Sequence, residues 1–254
     1  MSSTTQATQP RYVRVLTIAG SDSGGGAGIQ ADLKTFAALG CYGMSAITAL
    51  TAQNTQGVRG IHGVPPEFVR QQIDAVVEDI GVDAVKIGML ATPEVVHAVA
   101  DAIEAHRLPH VVLDPVMVAT SGAKLLEDSA LHALRERLLP LATVLTPNTP
   151  EAELLLGCRI TTTAEAEDAA TALLDLGASA VLLKGGHLHE GSCVIDRYFD
   201  GVTREEFSHA RLSLEAHGTG CTLASAIAAQ LCRGLPLRSA CQAAIDYVAR
   251  GLHG

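Results

Sequence analysis

The chain is 254 residues long, 48% hydrophobic and 18% charged, a composition that supports a large buried core and excludes disorder over most of its length. No run approaches the ~18 uncharged apolar residues of a membrane helix, and a formal net charge of −9 with 3% aromatics and no Trp argues against nucleic acid as a partner. Met1 to Pro10 is polar and has no apolar secretory core, so it reads as a flexible tail before one domain over residues 11–254, in a cytoplasmic protein that handles small molecules.

In chain order, Arg14 to Gly20 is predicted as a buried strand ending in a glycine-rich turn. Ile29, Leu33, Phe36 and Leu39 follow at helical spacing, with Gly40 beyond the helix end. Gly43 to Leu50 is strand-like. Pro66 opens a helix with the stripe Val69, Ile73, Val76, Val77 and Ile80. Ala84 to Ile87 is a third strand, and Thr92-Pro93 opens a helix to about His106. His110 to Asp114 and Thr143 to Thr146 are strands stopped by Pro115 and Pro147, with a helix near Ser129–Leu138 between them. Thr149-Pro150 opens the next helix, with Pro in its first turn. Thr163 to Leu176 is helical, Ala180 to Lys184 is a strand, and Asp200-Gly201 turns a hairpin near 193–209. Two helices close the chain, about Thr219–Cys232 and Leu237–Leu252. The alternation predicts an α/β sandwich of three layers, with a mainly parallel sheet between helices on both faces. Ligands of such sheets bind beyond the carboxyl ends of the strands.

Residues 20–28 follow the first strand and hold four glycines within positions 24–28. A Walker A loop is excluded, because no Lys precedes the helix. A dinucleotide fingerprint fits only loosely as Gly26, Gly28 and Ala31, and the following strand end, Thr51 to Asn54, lacks the acid that would bind ribose. The glycines exceed what a turn needs and point to close approach of backbone to a ligand. Gln53 both donates and accepts, which suits a ring carrying an amino group beside a ring nitrogen; a solvated loop Gln explains it equally well. Asp32 near a helix start is also favoured there by the helix dipole alone.

Asn148 and Glu151 stand one turn apart. They read as a helix cap, or as oxygen donors around a Mg²⁺-bound water. Lys184 ends an apolar strand and needs an anionic partner. His187 and His189 read as solvated loop residues. None of the six cysteines forms a Cys-x-x-Cys pair or has zinc spacing, so they are read as reduced thiols. Cys221 stands apart from the rest. In His217-Gly218-Thr219-Gly220-Cys221-Thr222 two glycines and a helix N-terminus make an anion site, and that field is expected to lower the thiol pKa. A glycine-rich cap with a buried Cys is the plainer alternative.

Taken in order, these segments resemble the hydroxymethylpyrimidine/phosphomethylpyrimidine kinase family. The resemblance is carried by Ile18 to Lys34, Ile47 to Thr55, Lys86-Ile87-Gly88-Met89-Leu90, Leu113 to Met117, Thr146 to Glu151, Lys184 to His187 and His217 to Thr222, and runs from about residue 13 to 252. It implies a ribokinase-like fold and ATP-dependent phosphorylation of 4-amino-5-hydroxymethyl-2-methylpyrimidine, first to the monophosphate and then to the diphosphate. It implies Gln53 on the ring with Asp32, Ala27, Met89 and Val116 around it. Gly218, Thr219 and Gly220 are implied as the anion hole, Cys221 as the base, Asp114 and Lys184 at the nucleotide phosphates, and Asn148 and Glu151 at Mg²⁺. A homodimer is implied on the same ground. The rivals are a pyridoxine or pyridoxal kinase of the same fold, a non-catalytic ligand-binding protein and, on the loose fingerprint, a dinucleotide-dependent oxidoreductase.

Overall fold

The computed structural model describes residues 12–118, 125–188, 192–211 and 217–253; the expected tail over residues 1–10 and His189 lie outside them. Nine strands form one sheet: β1 (Arg14–Asp22), β2 (Tyr42–Asn54), β3 (Gly57–Gly63), β4 (Ala84–Ile87), β5 (Val111–Leu113), β6 (Val144–Leu145), β7 (Val181–Leu183), β8 (Cys193–Phe199) and β9 (Arg204–Ala210). Their order is β3-β2-β1-β4-β5-β6-β7-β8-β9. Pairing is parallel from β2 to β7 and antiparallel at β3, β8 and β9. The mainly parallel sheet and the 193–209 hairpin agree with expectation. The second strand does not stop at Leu50: it runs to Asn54 and folds back on β3, which the sequence pattern did not predict.

Strand alternation divides the core between the two faces of the sheet. Leu16, Ile18, Val85, Ile87, Val111, Leu113, Leu145, Val181 and Leu183 point to one face. There they meet α2 (Pro66–Asp79), α3 (Pro93–His106), α4 (Asp128–Ala133), α5 (Thr149–Leu156) and α6 (Thr163–Asp175). Val15, Ala84, Val112, Val144 and Leu182 point to the other, against α1 (Gly28–Ala38), α7 (Thr219–Cys232) and α8 (Leu237–His253). Small residues let α7 lie close to the strands: Ala224, Ala226, Ala228 and Ala229 are all fully buried.

Helix starts follow the local sequence. Thr92 accepts from the Val95 amide at the head of α3, followed by Pro93. Asn148 with Glu151, and Thr162 with Glu165, form capping boxes on α5 and α6. The sequence leaves β1 toward β2 on one side and returns to β4 on the other. That reversal opens a crevice at the carboxyl ends of the strands.

Candidate active site

The crevice holds a cavity of about 560 Å³. Two glycine loops form one end. Gly28 has φ +56°, and a Cβ there would lie 2.4 Å from the Gly20 carbonyl oxygen. Gly218 caps α7 with φ +86°, and a Cβ there would lie 1.8 Å from the Gly26 carbonyl oxygen. The loops therefore pack backbone to backbone, at positions where only glycine fits. The Gly28 amide favours the charged form of the Cys221 sulfur. Asp22 organises the first loop: its carboxylate accepts from the amides of Gly24, Gly26 and Ala27 at 2.8, 3.1 and 2.8 Å. His217 ties the loops together, with Nε2 3.1 Å from Asp22 Oδ2 and 3.2 Å from Gln53 Nε2. Gln53 is steadied again by the Thr51 hydroxyl, which donates to Oε1 at 3.1 Å.

At the other end, Lys184 follows β7 and lies 3.0 Å from Asp114 Oδ1 and 3.8 Å from Glu151 Oε2. Burial opposes the ammonium charge, but Asp114 and Glu151 outweigh it and hold the Lys184 pKa above its ordinary value. Gly220 leaves room for this ammonium: a Cβ there would come within 3.1 Å of Nζ. Asn148 and Glu151 exchange backbone and side-chain hydrogen bonds at 2.8 and 2.9 Å, so the helix-cap reading of this pair describes their contacts. Burial pushes the Glu151 carboxyl up to about 7, with Lys184 pulling it down and Asp114 adding to the rise.

Ala27, Gln53, Met89, Asp114, Val116, Asn148, Glu151, Lys184 and Gly218 to Cys221 all line this cavity. Asp32 does not. It is fully buried behind the wall, where its carboxylate accepts from Thr17 at 2.6 Å, Ser225 at 2.7 Å and Lys86 at 3.0 Å. The expectation was a place on a substrate ring; in the structure Asp32 is not among the cavity-lining residues, and three buried donors meet its oxygens. The expected acidity of Cys221 is corrected. Burial pushes the thiol up, Lys86 and the Gly28 amide pull it down, Asp32 and Asp114 push it up, and the balance is about 11.

Lys86, Asp22 and His217 were not singled out in the sequence. The signal for Lys86 was present, because a Lys inside a four-residue apolar strand needs a buried partner.

The donors near Asn148 and Glu151 are oxygens, the chemistry Mg²⁺ prefers. Among the described residues no three His, Cys, Asp or Glu side chains group to hold an ion directly. The arrangement thus fits a cation reached through water rather than a closed protein cage.

An anion-receptive helix mouth, a buried lysine and an apolar-walled pocket at the carboxyl ends of the strands define a ribokinase-like phosphotransferase. The chain belongs to the phosphomethylpyrimidine kinase family, whose model matches residues 22–253. It is 48% identical over 236 residues to the hydroxymethylpyrimidine/phosphomethylpyrimidine kinase of Bacillus subtilis, covering 92% of this chain and 87% of that protein. It is 56% identical over 235 residues to a thiamine biosynthesis bifunctional protein of Geobacter sulfurreducens, covering 92% of this chain and 48% of that protein; the chain therefore spans about half the length of that relative. The structure of Staphylococcus aureus pyridoxal kinase in complex with AMP-PCP and pyridoxal superposes with a TM-score of 0.85 at 37% identity, covering 94% of this chain and 87% of that one. No described helix is long and apolar enough to cross a membrane.

Proposed function

We propose that this chain, as one kinase domain over residues 11–254, phosphorylates 4-amino-5-hydroxymethyl-2-methylpyrimidine with ATP, and then phosphorylates the monophosphate to the diphosphate. One observation carries the reading: the Gly218–Cys221 helix mouth and the Gln53, Met89 and Val116 side chains face the same cavity. A ring hydrogen-bonded to the Gln53 amide would share this cavity with the sulfur and the helix mouth. Ala27, Met89 and Val116 give its faces apolar contact.

With Cys221 in its thiolate form, the alcohol oxygen gives its proton to the sulfur and attacks the γ-phosphorus, and the bond to the ADP oxygen breaks with its electron pair. Gly218, Thr219 and Gly220 present the N-terminus of α7 to the charge on the transferring group. Lys184 and Asp114 meet the nucleotide phosphates, the ammonium supplying charge and the carboxylate fixing its place. Mg²⁺, when bound, shields the phosphate charge; Asn148 and Glu151 would hold it through water. In the second step the nucleophile is a phosphate oxygen that is already anionic and needs no strong base.

The same cavity accommodates a pyridoxal ring, and the pyridoxal complex of the S. aureus relative makes pyridoxal kinase the second reading. The oxidoreductase reading lacks the ribose-binding acid. Product analysis with ATP, Mg²⁺, the pyrimidine and pyridoxal separates the alternatives. The pyrimidine mono- and diphosphates are expected, with kcat/KM for the pyrimidine above that for pyridoxal. No phosphorylated product from either would leave a ligand-binding protein.

A cytoplasmic homodimer completes the proposal. An edge strand β3 that is mostly exposed, with Leu50, Ile61 and Phe68 exposed in and beside the β2–β3 hairpin, supports the second copy. Light scattering on the purified chain tests it.

A further inference from the structure

The geometry points to Lys86 as the positioning residue of the proton-accepting sulfur: its ammonium, fixed by Asp32 and bordering the same cavity as Cys221, favours the thiolate form that takes the alcohol's proton. The inference rests on the reading of Cys221 as the base.

Lys86 lies in β4 opposite Thr17 of β1 and Val112 of β5. Val112 packs on the α1–α7 side of the sheet, and residues paired across strands share a face. Lys86 therefore projects between the strands and those helices, fully buried. Asp32 of α1 stands 3.0 Å from its Nζ, and Ser225 of α7 donates to the same carboxylate at 2.7 Å. Cys221 precedes Ser225 by four residues on α7, so the two share one helix face. The sulfur thus borders both the cavity and the buried ion pair.

Such a pair contributes little net stability, because removing two charges from water costs about what their attraction returns. Its two members act on the neighbouring thiol with opposite signs. The groups that face the sulfur are Lys86 from β4, Asp32 from α1, Asp114 after β5, Lys184 after β7 and the Gly28 amide. Lys86 and the Gly28 amide favour the thiolate, and the two carboxylates oppose it. Proton transfer leaves the thiol neutral and the alkoxide oxygen bonded to phosphorus, and the thiol later loses its proton to solvent. Lys86 sets how readily the sulfur is available for that cycle.

The test is the pH dependence of iodoacetamide alkylation at Cys221, measured on the enzyme without substrates and assigned by peptide mass spectrometry. Lys86→Met is expected to slow alkylation at pH 8 about tenfold or more, the effect of one unit of thiol pKa or above. Asp32→Asn is expected to accelerate it, and the Lys86→Met/Asp32→Asn pair to fall between the two. Opposite signs from the two members of one ion pair are not produced by loosened packing. In Lys86→Met the rising, acid-side limb of the pH profile of the first phosphorylation is expected to move to higher pH. Unchanged alkylation in Lys86→Met, or slowing in Asp32→Asn, overturns the proposal; if Lys86→Met does not fold, the sign in Asp32→Asn decides. The base reading fails separately, through an undiminished first phosphorylation in Cys221→Ala.

Discussion

Lys184 Nζ lies 3.0 Å from Oδ1 of Asp114, joining the ends of β7 and β5 across β6 in the wall of the cavity. The ammonium also faces Glu151 at 3.8 Å, so one cation stands between two buried carboxylates.

Lys184→Met leaves those carboxylates without their counter-charge. A loss of about 3–5 kcal/mol in stability is expected, as for other buried pairs broken on one side, together with a raised KM for ATP. Adding Asp114→Asn is expected to restore much of the stability and none of the ATP affinity. Denaturant melts and ATP titrations on both variants check this. Recovery of both properties would mean that the ammonium serves the fold alone.

Cys221→Ala is expected to slow the first phosphorylation by about 10²–10⁴, the usual worth of a general base. The second step is expected to change far less, because its nucleophile is already charged. Rates measured separately with the alcohol and the monophosphate decide; equal losses would assign the sulfur a packing role.

Gln53→Ala is expected to raise KM for the pyrimidine about tenfold, equivalent to ~1.4 kcal/mol, while KM for ATP stays unchanged. The Thr51 and His217 contacts hold the amide in place before substrate arrives, so its loss falls on substrate binding. An unchanged pyrimidine KM removes Gln53 from the pocket.

Asp22 gives a pH-dependent prediction. Burial pushes its carboxyl up, but the Ala27 and Gly24 amides and His217 outweigh burial and hold it below its ordinary value of 3.8. A depressed carboxylate stabilises the fold above its unfolded pKa, and that contribution disappears as pH falls through the folded value. Asp22→Asn is therefore expected to cost about 1–3 kcal/mol at pH 7, with the gap to wild type closing once pH drops below 3.8. Urea melts along a pH series measure it, and a gap independent of pH counts against the carboxylate.

The layers and most helix and strand positions were legible because they rest on local signals. Thr92-Pro93 and Asn148 mark helix starts by chemistry that acts within one turn. β3 escapes the sequence pattern because Gly57–Gly63 is mostly exposed and has a third glycine, Gly60, at its centre, so it shows neither alternation nor strand-forming bulk. Its partner segment Thr51 to Asn54 looked like a loop because it is polar. The resemblance puts Asp32 on the ring, and nothing near it in sequence shows that Lys86, 54 positions away, bonds to the carboxylate. Cys221 sits at a helix start, which favours a thiolate, but its burial and two nearby carboxylates come from distant parts of the chain. Local chemistry named the residues, and long-range packing set their charges.

The Gly218 hydrogen where a Cβ would stand faces the Gly26 carbonyl with no room for another atom. The first glycine loop and the mouth of α7 are therefore in direct backbone contact, so a displacement of one presses on the other. Remodelling the pocket for a bulkier vitamin precursor through the first loop would drag the transfer geometry along, so acceptor range and turnover in this scaffold are coupled variables.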